Sequence, residues 1–299
     1  MRRKMALIAL AAVAALGLAL LAWSFAPITE MNQSRAPAQA SNPNAAPAFD
    51  HSGFNALLET YVNDGGLVDY TGLSRDRARL DAYLSVLGSA NPQSFPNDAE
   101  RLAFWINAYN AFTLRDVLDD VYQRVRSVRD LAGFFDRKTH RVANQDLTLD
   151  QIEANGRNLK DPRIHFAVVC ASTSCPKLQR FAYTGPQLQE QLNRITREFL
   201  ADSQRGMRMD RANNTIYLSA IFKWYAGDFA GTTSGAGKAF ERVKASVSGA
   251  TGLSYVKSYV APDVAQLIAE KSPGVNYLPY DWTLNAQETP PARQRKDYE

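Results

Sequence analysis

The sequence predicts an α+β fold in which helices pack on a small mixed or antiparallel sheet. Two observations support this class. Amphipathic helical periods and short runs of β-branched and aromatic residues occur in mixed order along the chain, and one helical segment is apolar on nearly every side. Residues 50–285 show no internal repeat and no second linker. We therefore expect a single domain with one substantial core over that range.

The elements follow from periodicity and from the residues that begin and end them. Helices are predicted at 51–64, 76–87, 96–118, from 148 onward, 186–203, after 219 and at 263–270. Strands are predicted at 67–70, 164–169, 215–218 and 254–260. Gly65 and Gly66 should end the first helix, while Thr148 and Ser219 are expected helix N-caps. The apolar helix 96–118 should lie at the centre of the domain.

The first residues predict export. Three basic residues at 2–4 precede an uninterrupted apolar run at 6–25, which is long enough to cross a bilayer as one helix. Segment 1–27 is therefore expected to be an N-terminal signal anchor or signal peptide, and Pro27 favours a retained anchor because it hinders cleavage. In either case the positive-inside rule predicts a cell-envelope protein whose body lies on the periplasmic side, tethered to the membrane or secreted after cleavage.

Two further segments are expected to lie outside the domain. Residues 28–49 are rich in Ala, Pro, Asn, Gln and Ser without an apolar period, which is typical of a flexible linker, and residues 286–299 form a polar tail.

Charge does not indicate a nucleic-acid partner. The chain has 34 Lys and Arg against 30 Asp and Glu, but residues 1–40 hold four of the bases and one of the acids. The remainder therefore carries a net charge of +1. Because no basic stripe with interleaved aromatic residues is present, nucleic acid is not expected among the partners.

Residues 164–176 contain most of the thiol and imidazole side chains of this chain, which are the groups most able to act as a nucleophile or a base near neutral pH. They hold both cysteines and one of the three histidines. If the predicted strand ends near 169 and Cys170 lies on the following turn, His165 can approach it as a base, and Cys170 becomes a candidate catalytic nucleophile. Cys175 precedes a proline and is expected to be structural, which leaves Cys170 as a reduced, reachable thiol.

Three other interpretations of the same segment stay open. Both cysteines can be small buried hydrophobic residues beside a hydrogen-bonded core histidine. They can form a disulfide if the turn doubles back, because a disulfide needs Cα atoms about 4.4–6.8 Å apart. A zinc site is the weakest interpretation, since His165, Cys170 and Cys175 give three ligands and no fourth is indicated. We expect no metal and no cofactor.

Two glutamates are candidates to orient His165. Glu100 shares a helical stripe with Asn107 and Asn110, and Glu153 lies on the helix before the histidine. The stripe can face a substrate site, so both asparagines are candidate substrate-binding residues. Local alternatives are a capping box between Asn97 and Glu100, asparagines that tie the helix to a neighbouring loop, and an exposed Glu153.

Aromatic residues near polar ones indicate a cleft. Trp224 and Asp228 are candidate substrate-binding residues, and Trp282 follows a second aspartate near the end of the domain. Aromatic side chains with a polar edge suit half-wet surfaces that bind a peptide, peptidoglycan or a protein partner. The alternative is that these aromatic residues belong to the core.

Five blocks in order resemble the domain-of-unknown-function family 547 (DUF547) over roughly residues 50–285. They are LAFWINAYNA at 102–111, LTLDQIE at 147–153, DPRIHFAVVCAS at 161–172, SCP at 174–176 and YDWTLN at 280–285. One departure is that Ala154 follows Glu153, where family members often have histidine. The resemblance implies a fold similar to papain-like and transglutaminase-like cysteine hydrolases.

Two functions therefore stay open. The first is a cysteine-dependent hydrolase or acyl transferase acting on amide or thioester bonds, with Cys170 as nucleophile and His165 as base. The second is a non-catalytic envelope binding module, in which Cys170 and Cys175 form a structural pair.

Overall fold

The described residues form ten α-helices and five short strands, and one long helix is almost entirely buried. The computed structural model describes residues 47–122, 124, 126–230 and 250–288. Its helices are α1 Ser52–Tyr61, α2 Tyr70–Arg75, α3 Arg77–Ser89, α4 Asp98–Asp116, α5 Leu149–Arg157, α6 Leu188–Ala201, α7 Ile221–Trp224, α8 Ala226–Ala230, α9 Ala250–Val256 and α10 Pro262–Lys271. Its strands are β1 His140–Val142, β2 Gln145–Leu147, β3 Met207–Asp210, β4 Thr215–Leu218 and β5 Gly274–Tyr277. The predicted α+β class is confirmed.

The strands form two small sheets. β1 and β2 make an antiparallel hairpin, and the other sheet has the order β3-β4-β5. In that sheet β3 runs antiparallel to β4, with Met207 opposite Leu218, whereas β5 runs parallel to β4, with Thr215 opposite Gly274. The predicted small sheet is therefore present and mixed.

Helix α4 separates two hydrophobic clusters. Phe104, Trp105 and Ala108 pack in one cluster, while Leu102 and Ile106 pack in the other. Both faces of the helix are thus covered, as its all-round apolar composition predicts. Asn97 caps the helix by accepting a hydrogen bond from the Glu100 N–H at 2.9 Å. A π-helical turn, Val117–Val121, continues α4 at its carboxyl end.

Several predicted helices are confirmed with shifted ends. α1, α3, α4, α6 and α10 lie within or close to the predicted ranges. Helix α5 begins as expected, because Thr148 and Gln151 form a reciprocal capping box. The N-cap of α7 is Ala220 rather than the predicted Ser219, which lies one residue earlier and accepts a hydrogen bond from the Ile221 N–H at 3.4 Å. The strand at 215–218 is β4.

Three strand predictions are wrong. Residues 164–169 begin as a 3-10 helix, Pro162–Phe166, because Asp161 accepts the Arg163 N–H and Pro162 suits the first turn of a helix. Residues 254–260 fall partly in helix α9, and residues 67–70 contribute isolated bridges at Val68 before α2 begins. Residues 164–169 are mostly buried, and burial alone does not separate a strand from a helix. The sequence patterns predict neither the hairpin β1-β2 nor the strands β3 and β5.

No helix among the described residues is long and apolar enough to span a bilayer. The predicted signal segment, most of the linker and most of the tail lie outside the described residues.

Candidate functional site

His165 lies at the centre of a buried polar cluster. It sits on the 3-10 helix Pro162–Phe166, whose neighbours Ile164 and Phe166 are fixed in the core. Its Nε2 atom lies 2.8 Å from Oδ2 of Asp228 on α8, and its side chain has no exposed surface. The aspartate thus holds the proton on Nε2 and leaves Nδ1 free to accept one.

Glu153 faces the other ring nitrogen. Its Oε1 lies 3.8 Å from His165 Nδ1, which is too long for a hydrogen bond, and neither buried atom has a hydrogen-bond partner among the described residues. Helix α5 approaches closely at Gly156, where a β-carbon would lie 2.5 Å from Ile164 Cδ1. Two buried polar atoms without partners are costly in a core, and such atoms are commonly reserved for a ligand or a reaction.

The pKa values of the two carboxyl groups beside His165, Glu153 and Asp228, shift in opposite directions. Burial raises the pKa of Glu153 from its usual 4.5 to about 7, whereas hydrogen bonds from His165 and Arg157 lower the pKa of Asp228. Burial also lowers the pKa of His165, against the attraction of Asp228. Near neutral pH the cluster therefore holds a neutral imidazole, an ionised aspartate and a partly protonated glutamate, which is a set suited to acid–base chemistry.

Aromatic residues surround this cluster. The Tyr225 ring stacks on His165 with centroids 3.9 Å apart, and its hydroxyl donates to Glu153 Oε2 at 3.4 Å. The Arg157 guanidinium lies 5.0 Å from the Tyr225 ring centroid and also bonds Asp228 at 2.7 Å. These contacts fix the imidazole from one face and one edge.

The cluster and the cysteines line the same cavity. This central cavity has a volume of about 150 Å³ and is lined by Tyr109, Phe135, Asp150, Glu153, His165, Val168, Cys170, Cys175, Pro176, Ile221, Trp224, Tyr225, Tyr280 and Trp282. An outer groove of about 520 Å³ shares Phe135, Asp150, Trp224 and Trp282 with it. These four residues form a wall at which the groove and the cavity adjoin.

Cys170 and Cys175 form a disulfide with Cα atoms 6.4 Å apart. The expectation of a free Cys170 thiol is thus corrected. The chain reverses at Ala171, which has a left-handed φ of 61°, and the turn is held by Thr173 N–H bonded to Thr283 O at 2.8 Å. Within the described chain, no group of three or more His, Cys, Asp or Glu side chains is arranged to hold a metal ion.

Glu100 does not line the central cavity. Its carboxylate accepts a hydrogen bond from the Gly185 N–H, and burial raises its pKa. A β-carbon on Gly185 would overlap the Glu100 carboxylate, so a larger residue there would require the Glu100 side chain to move. Of the two predicted orienting glutamates, the structure brings Glu153 to the histidine and gives Glu100 to the loop before α6.

The two asparagines of α4 bind backbone rather than the cavity. Asn107 donates to Tyr183 O at 2.8 Å and accepts from Tyr183 N–H at 3.0 Å. Asn110 donates to Ala167 O at 2.9 Å and accepts from Val169 N–H at 2.9 Å. Each amide therefore ties one loop to the central helix, and the Asn110 bonds hold the segment that joins His165 to Cys170.

Trp224 and Asp228 have different positions in the site. Trp224 lies on the shared wall, where it is 48% exposed and stacks on Trp282 with centroids 5.7 Å apart. Asp228, predicted to bind substrate, instead contacts His165. Sequence reasoning missed this pairing because 62 residues separate the two. It also missed Tyr280, although Tyr280 opens the block at 280–285.

Part of the chain matches a known protein family. Residues 92–200 match the family described as "Protein of unknown function, DUF547". No curated protein and no solved structure matches the chain significantly. The matched range includes Glu153, His165 and both cysteines, whereas Trp224, Asp228 and Tyr280 lie beyond it. The predicted likeness to the DUF547 family is therefore confirmed over residues 92–200.

Proposed function

We propose that the reduced protein is a cysteine-dependent hydrolase or acyl transferase acting on amide or thioester bonds in the cell envelope. The observation that carries this proposal is the central cavity, which Cys170 lines together with a histidine whose Nε2 is bonded to Asp228 and whose Nδ1 is unpartnered. Nucleophile, base and orienting carboxylate are the three parts that acyl transfer to a thiol requires.

The proposed steps require His165 Nδ1 to reach Cys170 Sγ within the cavity that both residues line. Once the disulfide is reduced, His165 Nδ1 takes the Cys170 proton and the thiolate attacks the substrate carbonyl. The His165 imidazolium gives that proton to the leaving amine or thiol as the tetrahedral intermediate collapses, the scissile bond breaks and a thioester forms on Cys170. Water or an acceptor amine, deprotonated by His165, then attacks this thioester. The bond between the acyl carbon and Cys170 Sγ breaks, and the Cys170 thiolate takes its proton from His165 as the hydrolysed or transferred product leaves.

Tyr280 is a suitable donor to the developing oxyanion. Its hydroxyl lies 3.5 Å from Cys170 Sγ, and burial raises its pKa to about 12, so it keeps its proton at neutral pH. A fold similar to papain-like hydrolases is part of the same proposal and rests on the family resemblance.

The test is site-resolved labelling of the reduced, full-length protein. After removal of the reductant, iodoacetamide at neutral pH should label Cys170 faster than Cys175, and an aryl thioester should leave an acyl group on Cys170. His165→Asn should slow both reactions at Cys170 by about a hundredfold. Cys170→Ser should abolish the acyl adduct. Equal labelling of wild type and His165→Asn would remove His165 as the base and contradict the proposal.

The disulfide itself favours a second function. If the pair stays oxidised in its native compartment, the same cavity and outer groove form the binding site of a non-catalytic module for a peptide, peptidoglycan or protein partner. Mass analysis of protein isolated under acid quench decides between the two. An intact Cys170–Cys175 disulfide in all molecules supports the binding module.

A further inference from the structure

The two sulfur atoms of the disulfide have different surroundings. Both residues line the central cavity, but Cys170 is half-buried whereas Cys175 is only 4% exposed. Thiol–disulfide exchange begins with attack on one sulfur and departure of the other, so this difference favours Cys170 as the sulfur that is attacked.

The buried sulfur receives two hydrogen bonds. The Cys170 backbone N–H donates to Cys175 Sγ at 3.1 Å, and the Tyr280 hydroxyl donates to the same atom at 3.1 Å. Ser172 in turn donates its hydroxyl proton to the Tyr280 oxygen at 3.2 Å, which aligns the tyrosine proton toward sulfur. Cys170 Sγ lies 3.2 Å from Ser172 Oγ and 3.5 Å from the Tyr280 hydroxyl, and it receives no backbone N–H among the described residues. With the Ser172 proton on Tyr280 and the Tyr280 proton on Cys175 Sγ, the two donors at Cys175 stabilise negative charge there and make Cys175 the better leaving group.

We propose that this disulfide is a reversible modification site at which a small thiol forms a mixed disulfide with Cys170. The incoming thiolate attacks Cys170 Sγ, a new sulfur–sulfur bond forms, and the Cys170–Cys175 bond breaks. The electron pair leaves on Cys175 Sγ, which takes up the proton that the incoming thiol released. A second thiol then attacks the adduct, so two thiols are oxidised to a disulfide while the protein pair is reduced to two thiols.

The size of the site selects the class of thiol. The central cavity holds about 150 Å³ and shares Trp224 and Trp282 with the outer groove, so a small-molecule thiol reaches Cys170 more readily than a folded protein does. This modification goes beyond the proposed acyl transfer. The mass of the adduct can be measured whether or not the protein transfers acyl groups.

The test uses oxidised full-length protein and reduced glutathione as the probe. The reaction is quenched early with acid, free thiols are blocked with N-ethylmaleimide, and the adducts are mapped by mass spectrometry. The first product should carry glutathione on Cys170 and maleimide on Cys175. Tyr280→Phe should slow its formation by about tenfold, the worth of one hydrogen bond to a developing charge.

Tyr277→Phe is the matched control, because Tyr277 lies on β5 and has no bond to either sulfur, and its rate should equal that of wild type. Thermal unfolding shows whether each variant is folded. If Tyr280→Phe does not fold, the position of the first adduct in wild type decides alone. Glutathione on Cys175, no adduct in excess glutathione, or an unchanged rate in folded Tyr280→Phe would each overturn the assignment.

Discussion

Glu153 is the residue whose protonation the fold changes most clearly. It is buried beside His165 Nδ1, and its only hydrogen-bond donor among the described side chains is Tyr225. Because burial raises its pKa from 4.5 to about 7, the folded state holds a proton that the unfolded state releases in this pH window. The free energy of unfolding should therefore fall as pH rises between these values.

Glu153→Gln removes this titration. We expect the variant to be more stable than wild type above pH 7, by roughly 3 kcal/mol at most, and to match wild type more closely below pH 4.5. Urea unfolding at several pH values measures the difference. Glu198→Gln, on the exposed part of α6, is the control and should leave the pH profile unchanged. A constant gap between wild type and Glu153→Gln at all pH values would contradict the shifted pKa.

Asp228 is expected to position His165 rather than to bind substrate. Asp228→Ala leaves Nε2 without an acceptor, so the rate of Cys170 alkylation in the reduced protein should fall by about a hundredfold. Asp228→Asn keeps an oxygen that can accept the Nε2 proton but loses the negative charge, so it should recover only part of the rate that the alanine variant loses. The pH dependence of alkylation measures the histidine directly. Equal rates in the alanine and asparagine variants would show that this hydrogen bond does not orient the base.

At the scale of elements, helix α4 holds the site through its amides. Asn110 satisfies Ala167 O and Val169 N–H, two backbone groups between His165 and Cys170. Asn110→Ala removes both partners within a buried region and should lower the free energy of unfolding by about 2–4 kcal/mol. Asn155→Ala on α5, whose bond to Gln151 O is exposed, should cost under 1 kcal/mol, about the worth of one such bond. If Asn110→Ala lowers the free energy of unfolding no more than Asn155→Ala does, the two Asn110 hydrogen bonds do not hold the segment between His165 and Cys170.

A variant of Glu100 tests whether this residue anchors the loop at Gly185 or orients His165. Its carboxylate accepts the Gly185 N–H and does not line the cavity, so Glu100→Gln should leave Cys170 alkylation unchanged. Glutamine keeps an oxygen that can accept the same bond. Stability should change by less than about 1 kcal/mol because the donor stays paired. A sharp loss of Cys170 alkylation in a folded Glu100→Gln variant would show instead that Glu100 orients His165.

At the scale of the whole molecule, the site lies where distant segments meet. The turn at 170–175 is bonded to residues 281–285, and Asn285 in turn accepts the Tyr70 hydroxyl at 2.8 Å. His165, Asp228 and Tyr280 are separated by more than 50 residues from one another, so the domain must be fully folded before the cavity exists.

The location of the domain is also a property of the whole molecule. The basic residues at 2–4 and the apolar run at 6–25 predict that the body lies outside the cytoplasm. A protease added to intact spheroplasts that express the full-length protein should degrade the domain while leaving a cytoplasmic marker intact. Protection of the domain until the membrane is lysed would reverse the predicted topology.

Local sequence determined the helices and the chemistry-bearing segment. Capping at Asn97 and Thr148, the all-round apolar α4 and the strand β4 follow from neighbouring residues, so they could be predicted. The family blocks likewise located His165 and the cysteines.

Only the tertiary structure decided how those residues meet. The apolar run at 164–169 is compatible with burial in either secondary structure, and the local signals for the 3-10 helix Pro162–Phe166 are Asp161 and Pro162. The pairing of His165 with Asp228, the diversion of Glu100 to Gly185 and the approach of Tyr280 to Cys175 are all long-range contacts. Periodicity reports which side of an element is buried, but it carries no information about which distant side chain lies against it.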